Sequence, residues 1–156
     1  YYGGISGTPN VWVDGTLNKP GATGQGVEAM YEVYADHIEQ RAPVTAPFTI
    51  TLSGEISGSK AHLTAEIDGS EGADTSGVYV RFALMEDGLE YNGKTFDWVL
   101  RNLAEGPLPV TAYPIVIRES FDLGDGWSED NLRAVVWVQD DTSLEVGQAA
   151  FYDFGA

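Results

Sequence analysis

The side chains in this sequence that could do chemistry are two histidines, His37 and His62, and a large excess of carboxylates. The histidines have no metal-type spacing to each other or to carboxylates, so a surface or interface place is expected for both. No G-x-S-x-G stretch supplies a serine nucleophile. Cysteine is absent, which excludes thiolate ligation, disulfides and dithiol redox chemistry within the chain. Acids adjoin at Glu86/Asp87, Glu129/Asp130 and Asp140/Asp141. Glycoside hydrolysis needs two carboxyls facing each other across a cleft, whereas neighbours on a strand point to opposite faces. With 24 acids in 156 residues such adjacency carries little meaning, and the chain is not expected to be an enzyme.

DLGDGWSEDN (122–131) is the best candidate for a cation. Asp122, Asp125, Glu129 and Asp130 offer the hard oxygens that Ca²⁺ takes, although their spacing departs from the EF-hand pattern. DGSEGAD (68–74) is a weaker second loop. A polar turn in an acidic protein accounts for both, so calcium is the one cofactor kept as a candidate. Tyr79, Trp98 and Trp127 are candidates for stacking on a glycan, and Trp137 is expected in the core or between sheets. The net charge of −16 disfavours nucleic acid and anionic membranes. No apolar run reaches the roughly 18 residues of a membrane span.

The elements that must position these groups follow from periodicity. NVWV (10–13) reads as a strand ending in the hairpin dipeptide Asp14-Gly15, with a return strand from Leu17. After a Gly-rich loop (20–26), Val27, Met30, Tyr31, Tyr34 and Ile38 form one apolar stripe of a helix over 27–41. APVTAP (42–47) is a proline-stiffened linker. Beyond it the period becomes two. Phe48, Ile50, Leu52 and Ile56 alternate with polar residues, as do Leu63, Ala65 and Ile67, then Val78, Val80, Phe82 and Leu84. Further strands are expected near 110–123, 132–139 and 145–152, while 97–103 fits a strand or a helical turn. Six or seven antiparallel strands predict an immunoglobulin-like β-sandwich.

GTPNVWVDG followed by a Gly-rich loop and an amphipathic helix resembles the C-terminal half of a thioredoxin-like domain, with Pro9 at the position of its cis-proline. LMEDGLEYNGKTFDWVLRNLAEG and ESFDLGDGWSEDNLRAVVWVQDDTSLEVGQAA resemble the Omp-twenty-eight-related family of outer-membrane and secreted proteins. That family places a β-sandwich after a thioredoxin-like domain. The shared features are Glu86-Asp87-Gly88, Val99-Leu100-Arg101 and the late strand pair. The resemblance implies residues 1–41 as a β-β-α remnant, 42–47 as linker and 48–156 as a mainly β sandwich. It also implies an extracellular or cell-surface setting without an established enzymatic activity. The active-site cysteines of a thioredoxin are missing.

Half a thioredoxin sheet leaves an unpaired edge and an uncovered apolar face, and both attract partners. Val11, Trp12, Val13, Met30, Tyr31 and Tyr34 are therefore expected to meet a protein, either another copy in a self-assembling structure or a separate chain. The competing expectation is that residues 1–41 fold back on their own sandwich. A glycan- or surface-ligand-binding module is the alternative function. A first residue other than Met suggests processing or trimming.

Overall fold

The computed structural model describes residues 8–22, 24, 26–70, 72–109 and 112–156. Tyr1, Tyr2 and the rest of the opening GTPNVWVDG context before Thr8 lie outside them.

The chain begins with a small ββα unit. Strands β1 (Asn10–Val13) and β2 (Leu17–Pro20) form a hairpin, and helix α1 (Val27–Arg41) packs on it. The turn has Asp14 and Gly15 both at positive φ, 47° and 72°. Three residues, Asp14, Gly15 and Thr16, join the paired Val13 and Leu17, and the Thr16 N–H closes the turn on the Val13 carbonyl at 3.2 Å, with Asp-Gly favoured at the two positive-φ positions. The Thr8–Pro9 peptide is cis, as the resemblance implied.

A seven-stranded sandwich follows. One sheet has the order β3 (Phe48–Ser57), β4 (Lys60–Gly69), β9 (Ile115–Asp122). The other runs β11 (Val146–Asp153), β10 (Leu132–Asp140), β5 (Val78–Glu86), β8 (Val99–Pro107). Every pairing is antiparallel. In the constant-type immunoglobulin arrangement the fourth strand joins the first sheet; here β8 pairs with β5 and so joins the second. The expected fold class is observed: mainly β, antiparallel and sandwiched, with a single ββα unit among the described residues.

The core lies where the predicted alternation put it. Leu63, Ala65 and Ile67 of β4 face Val80, Phe82 and Leu84 of β5 and Leu132, Val136 and Val138 of β10, all buried. Each such side chain contributes about 1.5–3 kcal/mol by leaving water.

Of the two readings of 97–103, strand is the one observed, from Val99 onward, and its missing alternation has a cause. Leu84 pairs with Asn102 and Met85 with Leu100, so Arg101 is an extra, bulged residue. A small hairpin, β6 (Leu89–Tyr91) and β7 (Lys94–Phe96), interrupts the β5–β8 connection. A 3₁₀ turn occupies Glu129–Asn131. Strand β9 starts at Ile115, later than the expected 110, and positions 110 and 111 are not described.

Candidate functional site

The ββα unit is where the sequence pointed. Val11, Trp12 and Val13 are half-buried along β1, which pairs only with β2 among the described residues. Helix α1 has no buried residue. Met30, Val33, Tyr34 and His37 are half-buried, whereas Val27, Tyr31 (72% exposed) and Ile38 face outward. The single expected stripe is thus divided in two. Met30 and Tyr34 sit on the sheltered side of the helix with Val33 and His37, and Tyr31 is on an open apolar side with Val27 and Ile38. His37 Nδ1 is shielded from solvent without a hydrogen-bond partner among the described residues.

The unit also touches its own sandwich, as the competing expectation held. The Asp14 carbonyl accepts a bond from the Val146 N–H at 3.0 Å. Gly15 is buried, and a Cβ there would lie 1.7 Å from the Leu144 carbonyl oxygen. Arg41 ends the helix bonded to Glu145 and, at 3.1 Å, to Asp14. The Glu145 hydrogen bond and then the Asp14 one hold its guanidinium further into the protonated range. Beside this junction a cleft of about 510 Å³ runs between the linker and the β10–β11 turn.

Two of the motifs behind the family resemblance, Glu86-Asp87-Gly88 and Val99-Leu100-Arg101, meet at the far end of the sandwich, while the Asp140 end of the late strand pair lies beside the ββα junction. Glu86 is only 2% exposed. It binds Arg101 at 2.7 Å and accepts the Ser128 N–H at 2.9 Å. The bulge re-aims Arg101 toward this carboxylate. The guanidinium in turn lies 5.1 Å over the ring of Trp127. Asp87 Oδ1 accepts the Trp98 N–H at 2.7 Å and Asp97 Oδ1 accepts the Gly88 N–H at 2.9 Å, a reciprocal clasp at the base of the β6–β7 hairpin. Trp98 itself has a positive φ of 58°. In the late strand pair, Asp140 accepts from the N–H groups of Thr142 and Ser143. Those bonds, Ser143's first, hold its carboxyl below the ordinary range.

The three stacking candidates do not form one platform. Trp98 is 54% exposed and its ring meets that of Phe151 at 5.4 Å, tilted by 46°. Tyr79 is half-buried under Arg81 at the other end of β5. Trp127 is half-buried against the core and over Gly124, where a Cβ would come within 2.6 Å of its indole nitrogen. Trp137 is not between the sheets. Val136 and Val138 take the core side, so Trp137 lies on the outer face, its Nε1 donating to Gln139 at 3.2 Å.

Asp122, Asp125, Glu129 and Asp130 are strung along a strand end, a loop and the 3₁₀ turn, and Asp122 pairs with Lys60 at 2.5 Å. Among the described residues no three carboxylate or imidazole groups are grouped to hold a metal ion. His62 faces Ser120, Nδ1 to Oγ 2.8 Å, on the exposed face of the three-stranded sheet. Spacing does not announce this pair, since the partners are 58 residues apart. No described cleft adjoins it.

A seven-stranded sandwich carrying a ββα unit on one end is the architecture against which known proteins can be compared. No protein-family model matches the chain, and no curated protein does. Among solved structures, a domain of the outer membrane lipoprotein Omp28 from Porphyromonas gingivalis matches with a TM-score of 0.52 and 19% identity, over 71% of this chain and 89% of that one. HBP35 of Porphyromonas gingivalis matches with a TM-score of 0.60 and 12% identity, over 78% of this chain and 45% of that one. The resemblance read from the sequence is therefore met at the level of fold. No described helix is long and apolar enough to cross a membrane.

Proposed function

We propose that this chain is a non-enzymatic interaction protein of the cell surface or extracellular space, whose ββα unit is completed by polypeptide from beyond this chain. The observation that carries the reading is α1. It lies on a two-stranded sheet, buries none of its residues, and leaves Val27, Tyr31 and Ile38 open. An isolated two-stranded hairpin is only marginally stable in water, and the helix over this one buries none of its own side chains. An added strand on β1 and a cover over the open side of α1 would supply the missing burial.

The setting is supported by the fold shared with an outer membrane lipoprotein domain. The non-enzymatic part is supported by the position of the His62–Ser120 pair, on an exposed sheet face. A second copy of this chain and a separate chain could each supply such a strand and cover. Sedimentation velocity over a range of protein concentrations separates them. Self-association predicts a mass that rises with concentration and a Tyr31→Asp variant that stays monomeric. Amide exchange decides whether the unit is incomplete at all. If β1 in the monomer exchanged as slowly as β5, the unit would be self-sufficient and the reading would fall.

A further inference from the structure

The opposite side of the sandwich has an open edge of its own. β8 and β9 each end their sheet, and nothing among the described residues pairs with the outer edge of either. Between them a groove of about 160 Å³ opens onto the core residues Val80, Phe82 and Ile117. Glu105 and Glu119 also line it. On the outer face beside this edge stand Leu103, 47% exposed, and Leu100, with Trp98 just before the strand. Natural proteins blunt a long edge strand with lysine, proline or a covering loop. The bulge at Arg101 and the Pro at the last position protect the two ends of β8, but residues 102–106 between them carry no lysine or proline.

We propose that β8 accepts an extended cationic polypeptide as an added strand. A strand laid on this edge places alternate side chains on opposite faces. One set enters the groove over Val80, Phe82 and Ile117, and the other lies along Leu100 and Leu103. Charge decides the partner. Glu119 lines the groove, Glu105 beside it is bonded to Arg81, and the chain as a whole carries −16. The arginines nearest the edge are already held by carboxylates, Arg81 by Glu105 and Asp141 and Arg101 by Glu86. Lysine or arginine on the incoming strand is drawn in, whereas an acidic strand is repelled. A carbohydrate is disfavoured because the Trp98 ring leans on Phe151 at 46° instead of offering a free flat face. This edge is separate from the ββα unit, so the two proposals stand or fall independently.

The test uses the whole chain and three synthetic peptides: one alternating valine with lysine, one alternating valine with glutamate, and the lysine peptide with N-methylated amides on its pairing edge. Isothermal titration should show saturable binding of the first alone, and amide shifts should concentrate in β8. Leu103→Lys and Glu119→Lys change exposed or rim positions outside the core, so folding is not at stake. Each should weaken binding by about tenfold, the loss expected of an interface anchor. Binding that survives both variants and N-methylation would be general electrostatic adhesion and would overturn the proposal. So would no binding at all. A glycan array signal that Trp98→Ala abolishes, with no peptide response, would overturn it in favour of carbohydrate.

Discussion

At the scale of single residues, the sequence motifs are legible only after the structure shows what they hold. Glu86, Arg101 and Trp127 are 15 and 26 residues apart along the chain yet form one stack, and periodicity cannot announce it. The bulge at Arg101 is the reason: an extra residue breaks the alternation that would mark a strand. Removing the cation should be costly, because Glu86 would remain buried and unpaired. Arg101→Ala is expected to lower stability by about 3 kcal/mol, and Arg101→Lys by less, in urea unfolding followed by tryptophan fluorescence. Asp140 gives a pH signature. Its folded-state pKa lies below that of the unfolded chain, chiefly through the Ser143 N–H. The stabilisation is therefore present above the ordinary carboxylate range and is lost as pH falls through the folded value. Asp140→Asn should be less stable than the parent at neutral pH, and the gap should close as the pH falls below the ordinary carboxylate range. Thermal melts across that range check it. Because the four calcium candidates are dispersed over separate elements, calcium should leave the melting temperature unchanged.

At the scale of elements, the sandwich strands were readable because each central strand buries one face, so a period of two survives into the sequence. The helix was readable as a helix but not in its packing. Apolar residues lie on two sides of α1, and a stripe drawn through Val27, Met30, Tyr31, Tyr34 and Ile38 spans both. Nothing in spacing alone says which side the hairpin takes. Arg41, bonded to the hairpin turn at Asp14, fixes the answer. Two consequences can be measured. Amide exchange in α1 should be faster than in β5 and β10, since local opening of the helix exposes no buried core. Val27→Lys and Tyr31→Lys should change stability by no more than about 0.5 kcal/mol, as exposed positions do, whereas Met30→Ala should cost more. A large loss from Tyr31→Lys in the isolated monomer would mean that the open side of the helix is already covered.

At the scale of the whole molecule, the question is how the ββα unit sits on the sandwich. The contact between them joins residues far apart in sequence, so spacing does not announce it. The Asp14–Gly15 turn presses on Leu144, the Asp14 carbonyl binds the Val146 N–H, and Arg41 reaches across to Glu145. Steric fit and charge contribute separately here, and substitution can separate them. Arg41 is largely sheltered while its two acids are partly exposed, so the ion pairs contribute about 1 kcal/mol, screened further by salt. Gly15 is different: a Cβ would collide with backbone, which cannot swing aside as a side chain can. Arg41→Ala should therefore leave the melting temperature of the sandwich nearly unchanged and the docking intact, with only a weaker response to ionic strength. Gly15→Val should undock the unit, visible in small-angle scattering as a larger radius of gyration with the sandwich still folded. If Arg41→Ala alone produced that expansion, the arginine clamp and not the turn would set the orientation. The open edge of β1 would then be presented to partners under ionic control.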